Sequence, residues 1–102
     1  MKLSVKERFE LAALLPKIGS LEEQIRIKSI TEKLAITSKE ADLIELITVE
    51  GKTTWNNNKS EIKEFSFEVG EVNLIKASVK IADEKKVITQ SNLELCQRIN
   101  LL

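Results

Sequence analysis

At four places in this 102-residue chain a serine or threonine stands three residues before a glutamate, at the head of an apolar repeat of helical period. The pairs are Ser4/Glu7, Ser20/Glu23, Thr37/Glu40 and Ser91/Glu94. In each, the hydroxyl can accept from the glutamate's amide while the carboxylate reaches back to the capping residue's own amide. That exchange satisfies donors a helix start leaves open. Four helix starts are thereby set, and the rest of the chain must fit between them. The single proline, Pro16, closes the first helix. It disfavours the helical conformation in the residue before it, so that helix stops near Leu15 and Lys17-Ile18-Gly19 becomes a tight connection.

Apolar spacing fills in the elements. In the first helix Val5, Phe9, Ala12 and Ala13 recur at helical intervals, and Leu11, Leu14 and Leu15 widen the stripe. After Ser20, Ile27, Ile30 and Leu34 share a face with Leu21 and Ile25 near it, while Glu22 and Arg26 form an i,i+4 surface pair. After Thr37 a short helix over 38–46 carries Ala41, Leu43, Ile44 and Leu46, with Ile36 placed to pack on Ala41 as a hydrophobic staple. The β-branched run Ile44–Val49 blurs its boundary with a strand. Glu50-Gly51-Lys52 predicts a hairpin turn between Ile47–Val49 and Thr53–Trp55, and Asn56–Ser60 is polar and turn-prone. Next, Phe65, Phe67 and Val69 alternate with Glu64, Ser66 and Glu68, which predicts a half-buried strand beginning at Ile62 and ending at Gly70. Residues 71–86 fit either period. Their length, Glu71 at the start and Lys85-Lys86 at the end decide for a helix. The segment opened at Ser91 gives a closing helix with Leu95, Cys96, Ile99, Leu101 and Leu102. The expected fold is α+β in one domain over 1–102: three N-terminal helices, a small antiparallel sheet of a hairpin plus one strand, and two C-terminal helices. Helices 20–35 and 38–46 followed by a hairpin also fit a winged-helix-like arrangement.

Stretches spread over nearly the whole chain carry a resemblance: LLPKIGSLEEQ, EKLAITSKEADLI, GKTTWN and EVGEVNLIKASVKIADEKKVITQSNLEL. They resemble a family of short tailed-bacteriophage and prophage proteins of unassigned activity. The resemblance implies an origin and a layout, including a helix over 71–86, and brings no functional residues with it.

The residue inventory excludes much chemistry. There is no histidine, and the lone Cys96 lies in an apolar-periodic segment where a buried thiol is expected. Histidine-assisted nucleophiles and thiol-based metal sites are ruled out. Gly19, Gly51 and Gly70 are isolated turn glycines and form no phosphate loop. Glu22, Glu23 and Glu40 serve helix starts. Asp42 with Glu45 is the one carboxylate pairing that could hold Mg²⁺, and no metal is expected there. A non-enzymatic protein without cofactor or metal is expected. No apolar run approaches the ~18 residues of a membrane span. MKLSVKERFE carries charges where a signal peptide's apolar region would lie, so a cytoplasmic location without membrane contact is expected.

The formal net charge is zero, which argues against bulk attraction to a polyanion and removes a brake on self-association. Over 38–50, where a recognition helix would lie, Lys39 faces Glu40, Asp42, Glu45 and Glu50, a balance unsuited to a phosphate-lined groove. A basic face built from the two ends (Lys2, Lys6, Arg8, Lys80, Lys85, Lys86 and Arg98) is the alternative route to nucleic acid. Trp55, the only tryptophan, sits at a strand end as either a core-edge anchor or a binding contact. With Asn56, Asn57, Lys52 and Lys59 it forms the candidate binding set. The expected function is binding to a host or phage protein, as a homo-oligomer. A winged-helix-like nucleic-acid-binding regulator and a sponge for a host signalling nucleotide are the alternatives.

Overall fold

The helices begin where their capping residues stand. Ser4 Oγ accepts from the Glu7 amide at 3.2 Å and Glu7 returns the bond to the Ser4 amide at 3.0 Å. Ser20 and Glu23 repeat the exchange. In the computed structural model, which describes residues 1–102, the chain runs β1 (Lys2–Leu3), α1 (Val5–Leu14), α2 (Leu21–Leu34), α3 (Ser38–Leu43), β2 (Ile47–Val49), β3 (Lys52–Thr54), β4 (Lys63–Glu64), α4 (Val69–Glu84) and α5 (Leu93–Asn100). Helix and sheet are thus mixed, with five helices and two small antiparallel two-stranded sheets. α1 ends at Leu14, and Leu15, the residue before the proline, is extended.

Two helices end on the same device. At the end of α3, Glu45 is left-handed (φ 56°), its amide donates to the Asp42 carbonyl, and the Leu46 amide donates to the Ala41 carbonyl at 2.9 Å. At the end of α4, Lys86 (φ 58°) and Val87 do the same to Asp83 and Ala82. Both are Schellman motifs with a charged residue where glycine is usual. The β2–β3 turn is closed by Glu50 (φ 52°) and Gly51 (φ 78°), the positive pair a type I′ hairpin turn requires; Lys52, expected in the turn, therefore pairs with Val49 in β3, and Trp55, expected in the strand, lies just beyond it.

Several expectations are corrected. The predicted strand over 62–69 does not join the hairpin. Only Lys63–Glu64 pairs, and its partner is Lys2–Leu3 at the N-terminus. The Met1 ammonium anchors this ladder, donating to the Phe65 carbonyl at 2.8 Å and to Glu64. Phe65 and Phe67 do turn towards the core, but Val69 is exposed and opens α4. Gly70 therefore lies in a helix's first turn, where a Cβ would meet Arg26 Nε at 2.8 Å. The Glu71 carboxylate, accepting from the Glu68 amide, is what starts the helix two residues early. α3 stops at Leu43, short of the expected 46, because Glu45 has turned left-handed. The closing helix is capped by Asn92, not Ser91. Asn92 exchanges bonds with Thr89, while Ser91 Oγ donates to Glu10. Leu101 and Leu102 fall outside this helix and are exposed.

The core is a cluster of eleven residues: Leu3, Leu11, Leu15, Ile27, Ile30, Leu34, Ile75, Val79, Leu95, Cys96 and Ile99. α4 lies against α1, α2 and α5. The buried row of α1 is Val5, Arg8 and Leu11, continued by Leu15 just past its end; Phe9, Ala12 and Ala13 face outward. The basic face expected from the chain ends is accordingly broken up. Arg8 is inside, Arg98 is ion-paired to Glu7, and Lys6 bonds to the Ser91 carbonyl. Cys96 is a free, buried thiol, pushed above its ordinary pKa by burial and by Glu10. No helix is long and apolar enough to cross a membrane.

Candidate binding cleft

Arg8 sits three residues after Val5 and three before Leu11, so the helix turns it into the core row. It is 4% exposed. A guanidinium there must be fully bonded. Its Nε donates to the Leu34 carbonyl at 3.1 Å and its Nη2 to the Ala35 carbonyl at 2.9 Å. A cation thus meets the carbonyl end of α2, where the helix dipole favours it. The rest of the fork grips Glu40 of α3, with Nη1 to Oε2 at 2.7 Å and Nη2 to Oε1 at 3.1 Å. Glu40 also receives Lys63 at 3.0 Å, and the Phe65 ring lies 5.2 Å from the guanidinium carbon. This occupation explains why the third capping box is half made. Thr37 Oγ1 accepts from the Glu40 amide, but the Glu40 carboxylate serves Arg8. The Arg8 hydrogen bond draws the Glu40 carboxyl below its ordinary pKa against the effect of burial, and Lys63 adds to it.

Above this clasp opens a cleft of about 350 Å³. One wall is the outward side of α1, Phe9 and Ala12. The other is the inner side of the hairpin, with Leu46, Thr48 and Thr53; Leu34, Ile36 and Ala41 form the floor between α2 and α3. The volume and the mostly apolar lining with a few hydroxyls are those of a small-ligand or side-chain pocket. Arg8 is the one charged group in the lining, and its guanidinium is held by Glu40. A groove of about 420 Å³ between α4 and α5 is more polar, edged by Lys76, Lys80 and Asp83.

The five residues singled out from sequence fall into two groups. Trp55 is half-buried, its ring 5.5 Å from Phe9 at the cleft's edge. Its Nε1 donates to Asn57 Oδ1 at 2.8 Å. The Asn56 amide donates to the Ile44 carbonyl at 2.7 Å and its side-chain oxygen accepts from the Asn58 amide. Trp55, Asn56 and Asn57 therefore form one bonded turn that pins the hairpin's base. Lys59 is beside it but paired with Glu45, whose carboxyl it holds below the ordinary pKa. Lys52 is elsewhere, exposed at the hairpin tip opposite Val49. The sequence placed Arg8 on an exposed basic face, where it does not lie, and did not assign the cleft walls to any site. The signal was the width of the α1 stripe: one face meets the core, and the surplus, Phe9 and Ala12, faces the cleft. No three His, Cys, Asp or Glu side chains converge where a metal could be held. No protein family matches the chain, and no curated protein or solved structure does either.

Proposed function

We propose that the chain is a non-enzymatic binding protein whose cleft takes an apolar side chain from a short segment of a partner protein, and that it self-associates. The carrying observation is the cleft's chemistry: apolar walls, threonine hydroxyls and a single cation already neutralised by Glu40. Such a surface rewards an uncharged, apolar occupant. It offers nothing free to a phosphate, which weakens the nucleotide-sponge reading, since Lys59 is paired and Lys52 is remote. A winged-helix regulator keeps the order α2, α3, hairpin in its favour, but α3 and its sequel remain acidic. The resemblance to short phage and prophage proteins supplies the setting, an accessory protein in a host cell's cytoplasm.

Trp55 is the reporter that tests this. It leans on Phe9, a wall of the cleft, so occupancy changes its emission. A panel of short apolar peptides is expected to shift the fluorescence of the wild type and leave an Ala41→Leu variant, with its cleft filled, unmoved. A response to nucleotides and none to peptides overturns the reading.

A further inference from the structure

We propose that β2 pairs antiparallel with β2 of a second copy, about a twofold axis through Thr48, to make one four-stranded sheet from two hairpins. This deepens the self-association in the reading above and does not depend on what fills the cleft.

The ladder register directs β2's free groups outward. Glu50-Gly51 is a two-residue turn, so the pair that flanks it, Val49 with Lys52, is a hydrogen-bonded pair. Alternation makes Thr48 with Thr53 the non-bonded pair, where side chains approach most closely. Their hydroxyls are indeed in contact at 3.0 Å. The N–H and C=O of Thr48 therefore point away from β3, into an open edge. On the face turned from the cleft, Ile47 is 58% exposed and Val49 60%.

The two edges of the hairpin are not equivalent. β3 presents Thr53 between Lys52 and Thr54, and Lys52 is the kind of residue that guards an edge. Pairing β3 with another β3 would set no apolar residue against another. β2 carries no charge and no proline within its three residues. When it pairs with itself about Thr48, the two Thr48 residues exchange both backbone hydrogen bonds. Ile47 then stands opposite Val49 of the second copy, and Val49 opposite Ile47 of the second copy. Cross-strand pairs of β-branched residues are favourable neighbours. The contact uses the same patch on both copies, so it closes at two and does not propagate. Unprotected edges of this kind are templates for strand addition.

The contact is short, so a weak dimer is expected, with a dissociation constant of about 10–100 µM. Sedimentation velocity over roughly 5–500 µM tests it across that range. The wild type is expected to pass from monomer to dimer and no further. Thr48→Pro deletes the outward N–H and spares the donors of the β2–β3 ladder, so it is expected to weaken the dimer at least about tenfold. Thr53→Pro makes the same change on the other edge and is expected to leave the dimer intact. Val49→Lys, which keeps every backbone group and sets a charge in the apolar pair, serves if proline disturbs the hairpin, with Trp55 emission as the check on folding. A monomer at every concentration overturns the proposal. So does a dimer that survives both Thr48→Pro and Val49→Lys, or one that Thr53→Pro dissociates. The cleft reading fails separately: Ala41→Leu is expected to abolish the peptide response while leaving the dimer unchanged.

Discussion

The helical body and the β2–β3 hairpin are held by different forces. The body closes around eleven core residues contributed by β1, α1, α2, α4 and α5, and none comes from the hairpin. The hairpin has two strands of three residues, of which only Thr53 is even half-buried. A two-stranded ribbon of this size is marginal in water by itself. It is kept in place at its base, by the left-handed Glu45 that ends α3, by the Asn56–Ile44 backbone bond and by Trp55 against Phe9. Stability is thus concentrated in one region, and the other carries exposed apolar residues, Ile47 and Val49. Arg8 lies where they meet, joining the core row of α1 to α3, from which the hairpin departs.

The largest effect is expected there. Arg8→Ala removes two caps from the end of α2 and leaves Glu40 with Lys63 alone, so a loss of about 3–5 kcal/mol is expected by urea denaturation. A loss below about 1 kcal/mol, typical of exposed ion pairs, would mean the clasp is not a buried one. The same site governs acid sensitivity. Glu40 and Glu71, the latter raised by burial but lowered more by Lys33 and the Glu68 amide, both titrate below the ordinary 4.5 in the folded chain. Their stabilisation is complete above that value and is lost as pH falls through the folded-state values. Stability measured between neutral pH and pH 3 should therefore drop at the acid end, and Arg8→Ala should flatten that slope by the part of the Glu40 share that Arg8 supplies, leaving the part due to Lys63.

A smaller and more local effect is expected at Trp55. Trp55→Ala removes an aromatic pair worth about 0.5–1.5 kcal/mol beyond its buried area. If the hairpin opens apart from the body, amide exchange will quicken at Ile47–Thr54 while the urea midpoint hardly moves. A midpoint shift as large as that of Arg8→Ala would show that body and hairpin unfold together.

The same division explains what could be read from the sequence. Helix starts were legible because capping is local: Ser4 and Ser20 meet their glutamates three residues on. So was the existence of the hairpin, because Gly51 marks its turn, although the turn is Glu50-Gly51 alone and the second strand begins one residue earlier than expected, at Lys52. Long-range competition was not legible. Glu40 looked like a capping partner until Arg8, 32 residues away, took its carboxylate. Of the strand expected over 62–69, only Lys63–Glu64 forms; the alternation holds at Phe65 and Phe67, which point inward, and fails at Val69, which is exposed in α4. Alternation names a face and not a neighbour, and the only pairing partner turned out to be the chain's first residues. Arg8 was assigned to an exposed basic face by its charge, although its spacing from Val5 and Leu11 put it in the core row. Of the candidate site, the Trp55 turn was visible as a tryptophan beside asparagines; the cleft was not, because its walls come from three separated segments.

The smallest expected effect separates the two regions most cleanly, because the same motif occurs in both. Lys86 and Glu45 each hold the left-handed position of a Schellman motif, one ending α4 in the body and the other leading into the hairpin. A residue with a Cβ is strained there by about 1–2 kcal/mol and glycine is not, while glycine loses about 0.5–1 kcal/mol more chain entropy on folding, so either substitution nets about 0.5–1 kcal/mol. Glu45→Gly also gives up the exposed pair with Lys59, which is worth little. Lys86→Gly should raise the urea midpoint, since α4 unfolds only when the body does. Glu45→Gly should slow amide exchange in the hairpin and leave that midpoint nearly unchanged. Equal gains in the midpoint would mean that the hairpin's anchors bind it into the cooperative unit, and that its exposed face is carried on a rigid support.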